Sequence, residues 1–363
     1  MNRSGTLAEL MTSTGAPPMT GAERVLAAAR RAPVDRTPVW FMRQAGRSLA
    51  GYRELRERYD IITLTRTPEL CTLVTLMPVR ELGVDAAVLF ADIMLPLIGM
   101  DVPFTIDPGV GPIIHAPVRT ESAIEGLRVV DPREATPDLF EAIRMVRQEL
   151  DGRQAVIGFA GGPFTVASYM IEGRPTREFS RCKGLMYGDA ALWGRLMETL
   201  TEVTIRYLGA QVEAGVQMVQ LFDSWAGALS RDAYVTHVLP YTQRIVERTR
   251  ALGVPVILFA TDTAHLLGAM ASTGTDVVSV DWRLPLDVAW DGVGTACGVQ
   301  GNLDPAACAG PLDTALREAQ LILERARNRD GHIFNLGHGV LAHTPTENLR
   351  RIVALVHSET ARE

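Results

Sequence analysis

The 363-residue chain contains 47% hydrophobic and 21% charged residues, a composition typical of a soluble globular protein with a large core. Its formal net charge of −6 argues against a nucleic-acid-binding protein, because such proteins usually present a basic surface. The apolar runs are too short to cross a bilayer, so a membrane partner is not expected.

The four cysteines form neither a CxxC pair nor a disulfide-rich pattern. The N-terminal segment lacks the basic region and apolar stretch of a signal peptide. We therefore expect a cytoplasmic protein with reduced thiols. Residues 1–20, rich in Thr, Gly, Pro and Ser, are expected to form a disordered leader.

Short β-favouring segments alternate along the chain with longer segments of helical periodicity, such as 201–213 and 232–252. The β-favouring segments are near-continuous apolar runs, as expected for parallel strands covered on both faces. The predicted strands are 38–42, 86–90, 155–159, 218–222, 254–259, 276–280, 295–300 and 332–336. Residues 101–120 alternate Val and Ile among Pro and Gly, which predicts a β-hairpin excursion after the second strand.

Eight strand–helix units predict an α/β fold that closes into a single (β/α)8 TIM barrel. A doubly wound open sheet is the structural alternative. It would normally carry a glycine-rich dinucleotide fingerprint after the first strand, and Arg-Gln-Ala-Gly-Arg is not one.

Polar or glycine residues follow the ends of the predicted strands. Because the loops after parallel barrel strands meet on one face, these residues are expected to converge there. They are Arg43, Asp92, Gly161-Gly162, Asp223-Ser224, Thr261-Asp262, Asp281, Asn302 and Asn335 through His338.

The first strand ends in Arg43 and Arg47, which are separated by Gln44, Ala45 and Gly46. Guanidinium groups grip carboxylates or phosphates bidentately. A solvated basic turn has the same composition, so the segment alone leaves both interpretations open.

Asp92 and His338 are the titratable candidates at strand ends. Asp92 is either a helix N-cap or a partly buried carboxylate that accepts hydrogen bonds from ligand N–H groups. His338, flanked by glycines, is either a turn residue without a task or a donor to a ligand carboxylate or carbonyl.

Three further features accompany these residues. The glycines of 158–165 permit close backbone approach, which suits a flat wall for a bulky ligand, but the segment lacks a P-loop lysine. Tyr169 is a core residue or one whose hydroxyl reaches the pocket. Ser224 lacks a nucleophile elbow, and it is predicted to form a hydrogen bond or to act as a cap.

The histidines form no HExxH motif and no His-x-Cys unit occurs, so no metal site is expected.

Four segments together resemble the uroporphyrinogen decarboxylase family: 38–47 with Tyr52-Arg53-Glu54, 158–173, 222–230 and 332–339. The resemblance extends from Thr20 to His357 and includes 300–305. It implies a single (β/α)8 barrel domain over residues 21–363, usually a homodimer, in haem and porphyrin biosynthesis. The implied reaction removes the four acetate carboxyl groups of uroporphyrinogen III to give coproporphyrinogen III, without cofactor or metal.

The resemblance also implies roles for individual residues. Asp92 and Arg43 would be catalytic, with Asp92 directed at the pyrrole N–H groups and Arg43 assisting proton delivery. Phe222 would pack on the ring, and Arg43 and Arg47 would bind substrate carboxylates. The full implied substrate-binding set is Arg43, Gln44, Ala45, Gly46, Arg47, Asp92, Tyr169, Phe222, Ser224 and His338.

The chain departs from the family pattern at a few positions: Ser48, Ala50-Gly51, Ala91, Ala160, the loop 260–265 and His343. These departures bear on rate and on the fit around one edge of the macrocycle.

Two alternative functions stay open. One is a corrinoid or methyl-thiol methyltransferase. Such methyltransferases share the barrel and resemble zinc enzymes that carry a His-x-Cys unit, which this chain lacks. The other is a tetrapyrrole-binding protein without activity.

Overall fold

A computed structural model describes residues 18–107, 109–327 and 329–362. The strands are β1 (Ala86–Val88), β2 (Phe104–Asp107), β3 (Gly111–Ile114), β4 (Ala155–Gly161), β5 (Met218–Phe222), β6 (Val256–Phe259), β7 (Val277–Ser279), β8 (Gly298–Gln300) and β9 (His332–Ile333).

The helices lie between and around these strands. They are α1 (Gly21–Ala29), α2 (Ala50–Arg58), α3 (Ile61–Arg66), α4 (Pro68–Leu82), α5 (Pro96–Gly99), α6 (Glu121–Glu125), α7 (Pro132–Ala135), α8 (Pro137–Leu150), α9 (Pro163–Glu172), α10 (Ser180–Gly188), α11 (Ala190–Ala214), α12 (Arg231–His237), α13 (Leu239–Arg250), α14 (Leu267–Ala271), α15 (Leu286–Val293), α16 (Pro305–Ala309), α17 (Leu312–Ala326) and α18 (Thr346–Glu359). A 3₁₀ turn covers Ala226–Ala228. No helix among the described residues is both long and apolar enough to cross a bilayer.

Seven strands form one parallel sheet in the order β1-β4-β5-β6-β7-β8-β9. Strands β4, β6, β7 and β8 are buried along their whole lengths. Helices cover the outside of the sheet; α11, for example, packs on β4, and α13 packs on β6. Covered faces explain why the strands are continuous apolar runs rather than alternating ones. The sheet therefore has the α/β architecture that the alternation of segments predicts.

Residues 38–42, the predicted first strand, bridge the two edges of this sheet without forming a regular strand. Val39 makes an isolated parallel bridge to Phe334, and the Val39 carbonyl accepts a hydrogen bond from Asp85 N at 2.9 Å. The Val39 N–H, however, donates to the Asp85 carboxylate at 2.8 Å instead of to a neighbouring carbonyl. That side-chain bond interrupts the ladder, so the prediction of a strand over 38–42 is wrong in its local geometry.

Asp85 is a buried junction at the amino-terminal end of the sheet. Besides Val39, its carboxylate accepts hydrogen bonds from the Arg24 guanidinium of α1 and from His357 Nε2 of α18, the latter at 2.8 Å. Arg24 also binds Asp35 at 2.6 Å. One carboxylate thus holds the first helix, the last helix and segment 38–42 together.

The other predicted strands are present, several of them shortened: 254–259, 276–280, 295–300 and 332–336 correspond to β6, β7, β8 and β9. The helix predicted over 232–252 is broken into α12 and α13 at Val238. Pro240 explains the break, because a proline lacks the N–H donor and is tolerated only in the first turn of a helix.

Strands β2 and β3 form a separate antiparallel hairpin, in which Phe104 lies opposite Ile114. The hairpin follows β1 and α5 in the chain. The predicted leader lies outside the described residues up to residue 17. Thr20, its last residue, begins α1 through a capping box with Glu23.

His332, at the start of β9, is a buried imidazole whose Nε2 lies 3.0 Å from the carbonyl oxygen of Gly301. Burial lowers its pKa to about 4, whereas a histidine in the unfolded chain titrates near 6.5. The folded protein therefore binds fewer protons than the unfolded chain between these values. The free energy of unfolding should fall as pH drops through that window, by about 3 kcal/mol in total.

A His332→Gln variant keeps an amide donor for Gly301 and removes the titration. We expect its free energy of unfolding, measured by urea titration across this pH window, to depend less on pH than that of the wild type. His115→Gln, at an exposed histidine, is the matched control and should keep the wild-type slope. An unchanged slope in His332→Gln would show that the folded protein accommodates the protonated imidazole.

Candidate active site

Arg43 follows segment 38–42 and has a left-handed backbone conformation, with φ of 57°. Such a conformation is uncommon for a residue with a side chain. The Arg43 side chain extends across Gly339, where an added Cβ would lie 2.4 Å from Arg43 Cδ. Among the described residues no carboxylate pairs with Arg43, so its guanidinium is available to an anionic ligand.

Asp92 lies half-buried in the loop after β1. Its Oδ1 accepts a hydrogen bond from Met94 N at 2.8 Å. Helix α5 starts only at Pro96, with Leu95 at the N-cap position, so Asp92 closes a turn and is not the helix cap. Burial raises the pKa of the Asp92 carboxyl, while the Met94 N–H and the Arg43 charge oppose the rise. No other described residue hydrogen-bonds this carboxylate, which leaves Oδ2 for a ligand N–H.

His338 follows β9, and its Nδ1 accepts a hydrogen bond from Gly339 N at 2.7 Å. That bond assigns the proton of the neutral ring to Nε2. Burial, followed by the charges of Arg43 and Arg283, lowers the pKa of the imidazole to about 4. At neutral pH His338 is therefore an uncharged Nε2–H donor.

Tyr169 of α9 stacks on Trp225, with ring centroids 4.1 Å apart. Burial and the nearby Asp92 carboxylate raise the pKa of the Tyr169 phenol, and Arg43 opposes them. The hydroxyl therefore stays protonated and acts as a hydrogen-bond donor. Arg43 extends over Gly339, the residue after His338, and its charge also acts on the pKa of the Asp92 carboxyl and of the Tyr169 phenol.

Aromatic rings line the same end of the sheet. Phe222, at the end of β5, makes edge contacts with Phe159 at 5.3 Å and with Phe259 at 5.6 Å between centroids. Phe259 in turn contacts the His338 ring at 5.9 Å. The half-buried rings of Phe222, Tyr169 and Trp225 offer an apolar face beside the polar groups, and the buried rings of Phe159 and Phe259 support Phe222.

The remaining predicted binding residues differ in what they can reach. Gln44 is 1% exposed; its Oε1 accepts from Phe41 N at 3.0 Å and its Nε2 donates to Ala86 O at 2.9 Å. The Gln44 side chain therefore supports the Arg43 turn, and its role in substrate binding stays a prediction. Ala45 and Gly46 are half-buried in that turn.

Arg47 and Ser224 have accessible polar groups. Arg47 is exposed and lies near Tyr52, where burial raises the pKa of the phenol and the charges of Arg56 and Arg47 oppose the rise. No ion pair joins the Arg47 side chain to the described part of the chain. Ser224 is half-buried, and its carbonyl accepts from the Thr261 hydroxyl at 2.7 Å. Its own hydroxyl has no partner among the described residues.

Several glycines of the site make close contacts within the protein, and the predicted role of the glycines in 158–165 as a wall for a ligand stays a prediction. A Cβ on Gly162 would lie 2.3 Å from Asp223 Cβ, and one on Gly161 would lie 2.5 Å from Val166 Cγ2. A Cβ on Gly337 would meet Trp282 N at 2.4 Å. These glycines allow neighbouring loops to approach one another closely.

Asp223 was among the strand-end residues expected to converge on this face, but no role was predicted for its carboxylate. It is 1% exposed, and its Oδ1 accepts from Thr165 N and Thr165 Oγ1, both at 2.8 Å. Thr165 Oγ1 also accepts from Trp225 N at 3.1 Å. Burial raises the pKa of Asp223 to about 6. The hydrogen-bonded pair of Asp223 and Thr165 thus joins the loop after β5 to the start of α9 and positions Trp225.

The parallel sheet and this cluster at the carboxyl ends of its strands define an α/β enzyme with an open cation, a half-buried carboxylate and neutral donors beside an aromatic face. Within the described residues no group of three or more His, Cys, Asp or Glu side chains is arranged to hold a metal ion. A sequence model of the family described as Uroporphyrinogen decarboxylase (URO-D) matches residues 20–359. The chain belongs to the uroporphyrinogen decarboxylase family.

Curated relatives confirm the resemblance seen in the sequence. The uroporphyrinogen decarboxylase of Sorangium cellulosum is 52% identical over 336 residues, covering 93% of this chain and 96% of that protein. A uroporphyrinogen decarboxylase of Thermus thermophilus is 51% identical over 337 residues, covering 93% of this chain and 98% of that protein.

Solved structures share the fold at lower identity. A methyltransferase from Methanosarcina mazei has a TM-score of 0.79 at 23% identity and covers 94% of this chain and 99% of its own. A B12-independent methionine synthase from Shewanella sp. W3-18-1 has a TM-score of 0.55 at 11% identity, covering 80% and 88%. These two show the fold alone.

Proposed function

We propose that this chain removes the acetate carboxyl groups of uroporphyrinogen III to give coproporphyrinogen III in haem and porphyrin biosynthesis. The observation that carries the proposal is the identity of about one half to relatives of that name over nearly the whole chain. The grouping of Arg43, Asp92, Tyr169 and His338 supports it, because it combines one carboxylate for pyrrole N–H groups with donors for substrate acids.

Loss of carbon dioxide from a pyrrole acetate leaves an electron pair on the methylene carbon. If a ring carbon is first protonated, the cationic ring takes up that pair as the C–C bond breaks. A second proton then reaches the methylene carbon, and the proton added to the ring leaves. The pyrrole itself supplies the electron sink, so we propose that the reaction needs no cofactor or metal.

Asp92 stabilises the cationic ring in this proposal. Its Oδ2 accepts hydrogen bonds from the pyrrole N–H groups, which become stronger donors as the ring gains positive charge. The interaction is thus stronger in the transition state than in the ground state, which is the condition for raising kcat. A cationic ring also favours the ionised form of Asp92, against the burial that raises its pKa.

Arg43 and Arg47 bind substrate carboxylates in this proposal. Arg43 is free of an ion-pair partner in the described chain and lies near Asp92, so it can hold a reacting carboxyl group or a water close to the ring. Free arginine is a poor acid, since its pKa exceeds about 12; Arg43 therefore assists proton delivery by positioning the donor.

His338 Nε2–H, the Tyr169 hydroxyl and the Ser224 hydroxyl contact further carboxylates, and Phe222 packs on the macrocycle.

We also propose that the sheet belongs to a complete (β/α)8 barrel, in which segment 38–42 occupies the place of the first strand without forming a regular strand, and the β2–β3 hairpin is an excursion. Hydrogen bonds from this segment to both Phe334 and Asp85 support closure. A single domain over 21–363, a homodimer and a cytoplasmic location complete the proposal. The family resemblance supports the domain and the dimer, and the four free, buried cysteines are compatible with a reducing compartment.

Anaerobic incubation with uroporphyrinogen III tests the activity. We expect partly decarboxylated intermediates followed by coproporphyrinogen, which liquid chromatography resolves after oxidation to the porphyrins. Protein inactivated by heat is the control. If folded protein binds the substrate but forms no product, the chain is a tetrapyrrole-binding protein; stoichiometric zinc bound through cysteine would instead favour the methyltransferase alternative.

A further inference from the structure

A third arginine, besides Arg43 and Arg47, borders the candidate site on the loop after β7. Arg283 lies over the Trp282 ring, 4.3 Å from guanidinium carbon to centroid. The Trp282 ring makes an edge contact with His338, with centroids 6.5 Å apart. The imidazole is thus flanked by Arg43 over Gly339 and by Arg283 on Trp282.

The two carboxylates that pair with Arg283 are held very differently. Asp281 has a side chain only 7% exposed and lies 2.7 Å from Arg283. It also accepts from Asp262 N at 2.6 Å and Arg283 N at 3.0 Å, so Asp281 is part of the scaffold. Asp262 pairs with Arg283 at 2.6 Å, but its side chain is 58% exposed.

An exposed ion pair contributes only about 0–1 kcal/mol, so another carboxylate can replace Asp262 at little cost. The backbone of Asp262 has φ of 58° and is fixed by the hydrogen bond to Asp281. Releasing the Asp262 carboxylate therefore leaves the loop in place. Asp262 also lies in the loop 260–265, where the chain departs from the family pattern.

We propose that Arg283 binds a carboxylate on the rim of the tetrapyrrole substrate, and that this carboxylate replaces Asp262 while Asp281 keeps the guanidinium in position. The proposal rests on the proposed function and adds a specificity-determining pair to it. A substrate with acid groups around its whole rim presents more carboxylates than Arg43 and Arg47 can bind. Asp262 is then a competitor that the substrate must displace.

The test is the KM for uroporphyrinogen III of the variants Asp262→Asn, Arg283→Gln and their combination. Asp262→Asn removes the competitor and should lower KM about threefold. Arg283→Gln removes a charged hydrogen-bond donor and should raise KM about tenfold. The double variant should match Arg283→Gln, since the competitor matters only when the arginine is present.

Glu198→Gln is the matched control, because it removes the exposed partner of Arg244 on the outer helices α11 and α13. It should leave KM unchanged. A second readout does not depend on turnover. The planar polycarboxylate uroporphyrin is added to each variant, and its Kd is obtained from the change in the tryptophan fluorescence of the protein. The Kd values should follow the same order among the variants as the KM values.

If the Asp262–Arg283 pair only fastens the loops after β6 and β7, Asp262→Asn lowers the melting temperature and leaves KM the same or higher. That result would overturn the proposal, as would an unchanged KM in Arg283→Gln. If the wild type shows no turnover, the proposed function fails instead. The order of uroporphyrin Kd values then still decides whether Arg283 binds a carboxylate that competes with Asp262.

Discussion

Replacing Asp92 by asparagine is expected to lower kcat for uroporphyrinogen by about 10²–10³, because the variant loses the fixed negative charge that faces the cationic ring in the proposed mechanism. Oδ1 of the new amide can still accept from Met94 N, so folding should be preserved. Initial rates under anaerobic conditions, together with circular dichroism and melting temperature, separate the loss of rate from a loss of structure.

Asp101→Asn is the matched control for this charge removal. Asp101 is exposed and has φ of 62°, a left-handed conformation that asparagine adopts readily. Its rate should stay at the wild-type value. A near-normal kcat in Asp92→Asn would remove the carboxylate from the mechanism. Because burial raises the pKa of Asp92, wild-type activity should also rise with pH as this carboxyl ionises.

Adding one methyl group at Gly339 is expected to lower kcat by about a hundredfold while leaving the fold intact. The new Cβ would lie 2.4 Å from Arg43 Cδ and 2.7 Å from its Cγ, so the flexible arginine must move to another position. A displacement of about 1 Å in a positioning group can cost about 10² in rate. Steady-state kinetics on Gly339→Ala, with the melting temperature as a check on folding, gives the measurement.

Gly184→Ala supplies the comparison, because this exposed helical glycine of α10 has open space around the added Cβ. It should keep full activity and gain about 0.5–1 kcal/mol in stability, since alanine loses less conformational freedom than glycine in a helix. Equal rates for Gly339→Ala and the wild type would show that the path of Arg43 over Gly339 does not matter for turnover.

The parallel sheet could be predicted because strands that are covered on both faces consist of consecutive apolar residues, which are visible in the sequence. Residues 218–222 agree residue for residue with β5. Residues 38–42 have the same apolar pattern, yet they do not form a regular strand. The deciding contact comes from the Asp85 carboxylate, a distant side chain that local periodicity does not contain. Pro240, by contrast, was a local signal for the break after α12.

The same distinction applies to the site. Arg43, Asp92 and His338 were predictable because the ends of parallel strands converge. The partners of the glycines were not, since the residues next to Gly162 or Gly339 in sequence do not reveal which distant group approaches them. The surroundings of Gln44 were not predictable either, because only the fold shows that both ends of its side-chain amide are bound to backbone.

Arg283 was overlooked for a related reason. Its sequence neighbours, Asp281 and Trp282, suggest an ordinary charged turn. Arg283 and Arg43 are also far apart in the sequence, so the sequence does not reveal that both lie beside His338. The signal that could have found it was Asp281, which the strand-end argument had already placed on the same face.

Asp85 gives α1 and α18 a common anchor at the end of the sheet opposite the candidate site. Between segment 38–42 and β1, the Asp85 carboxylate is shared between a guanidinium, an imidazole and a backbone amide, whereas neighbouring strands of the sheet are joined by runs of main-chain bonds. Losing one partner would leave buried charge without compensation, which costs far more than losing an exposed pair.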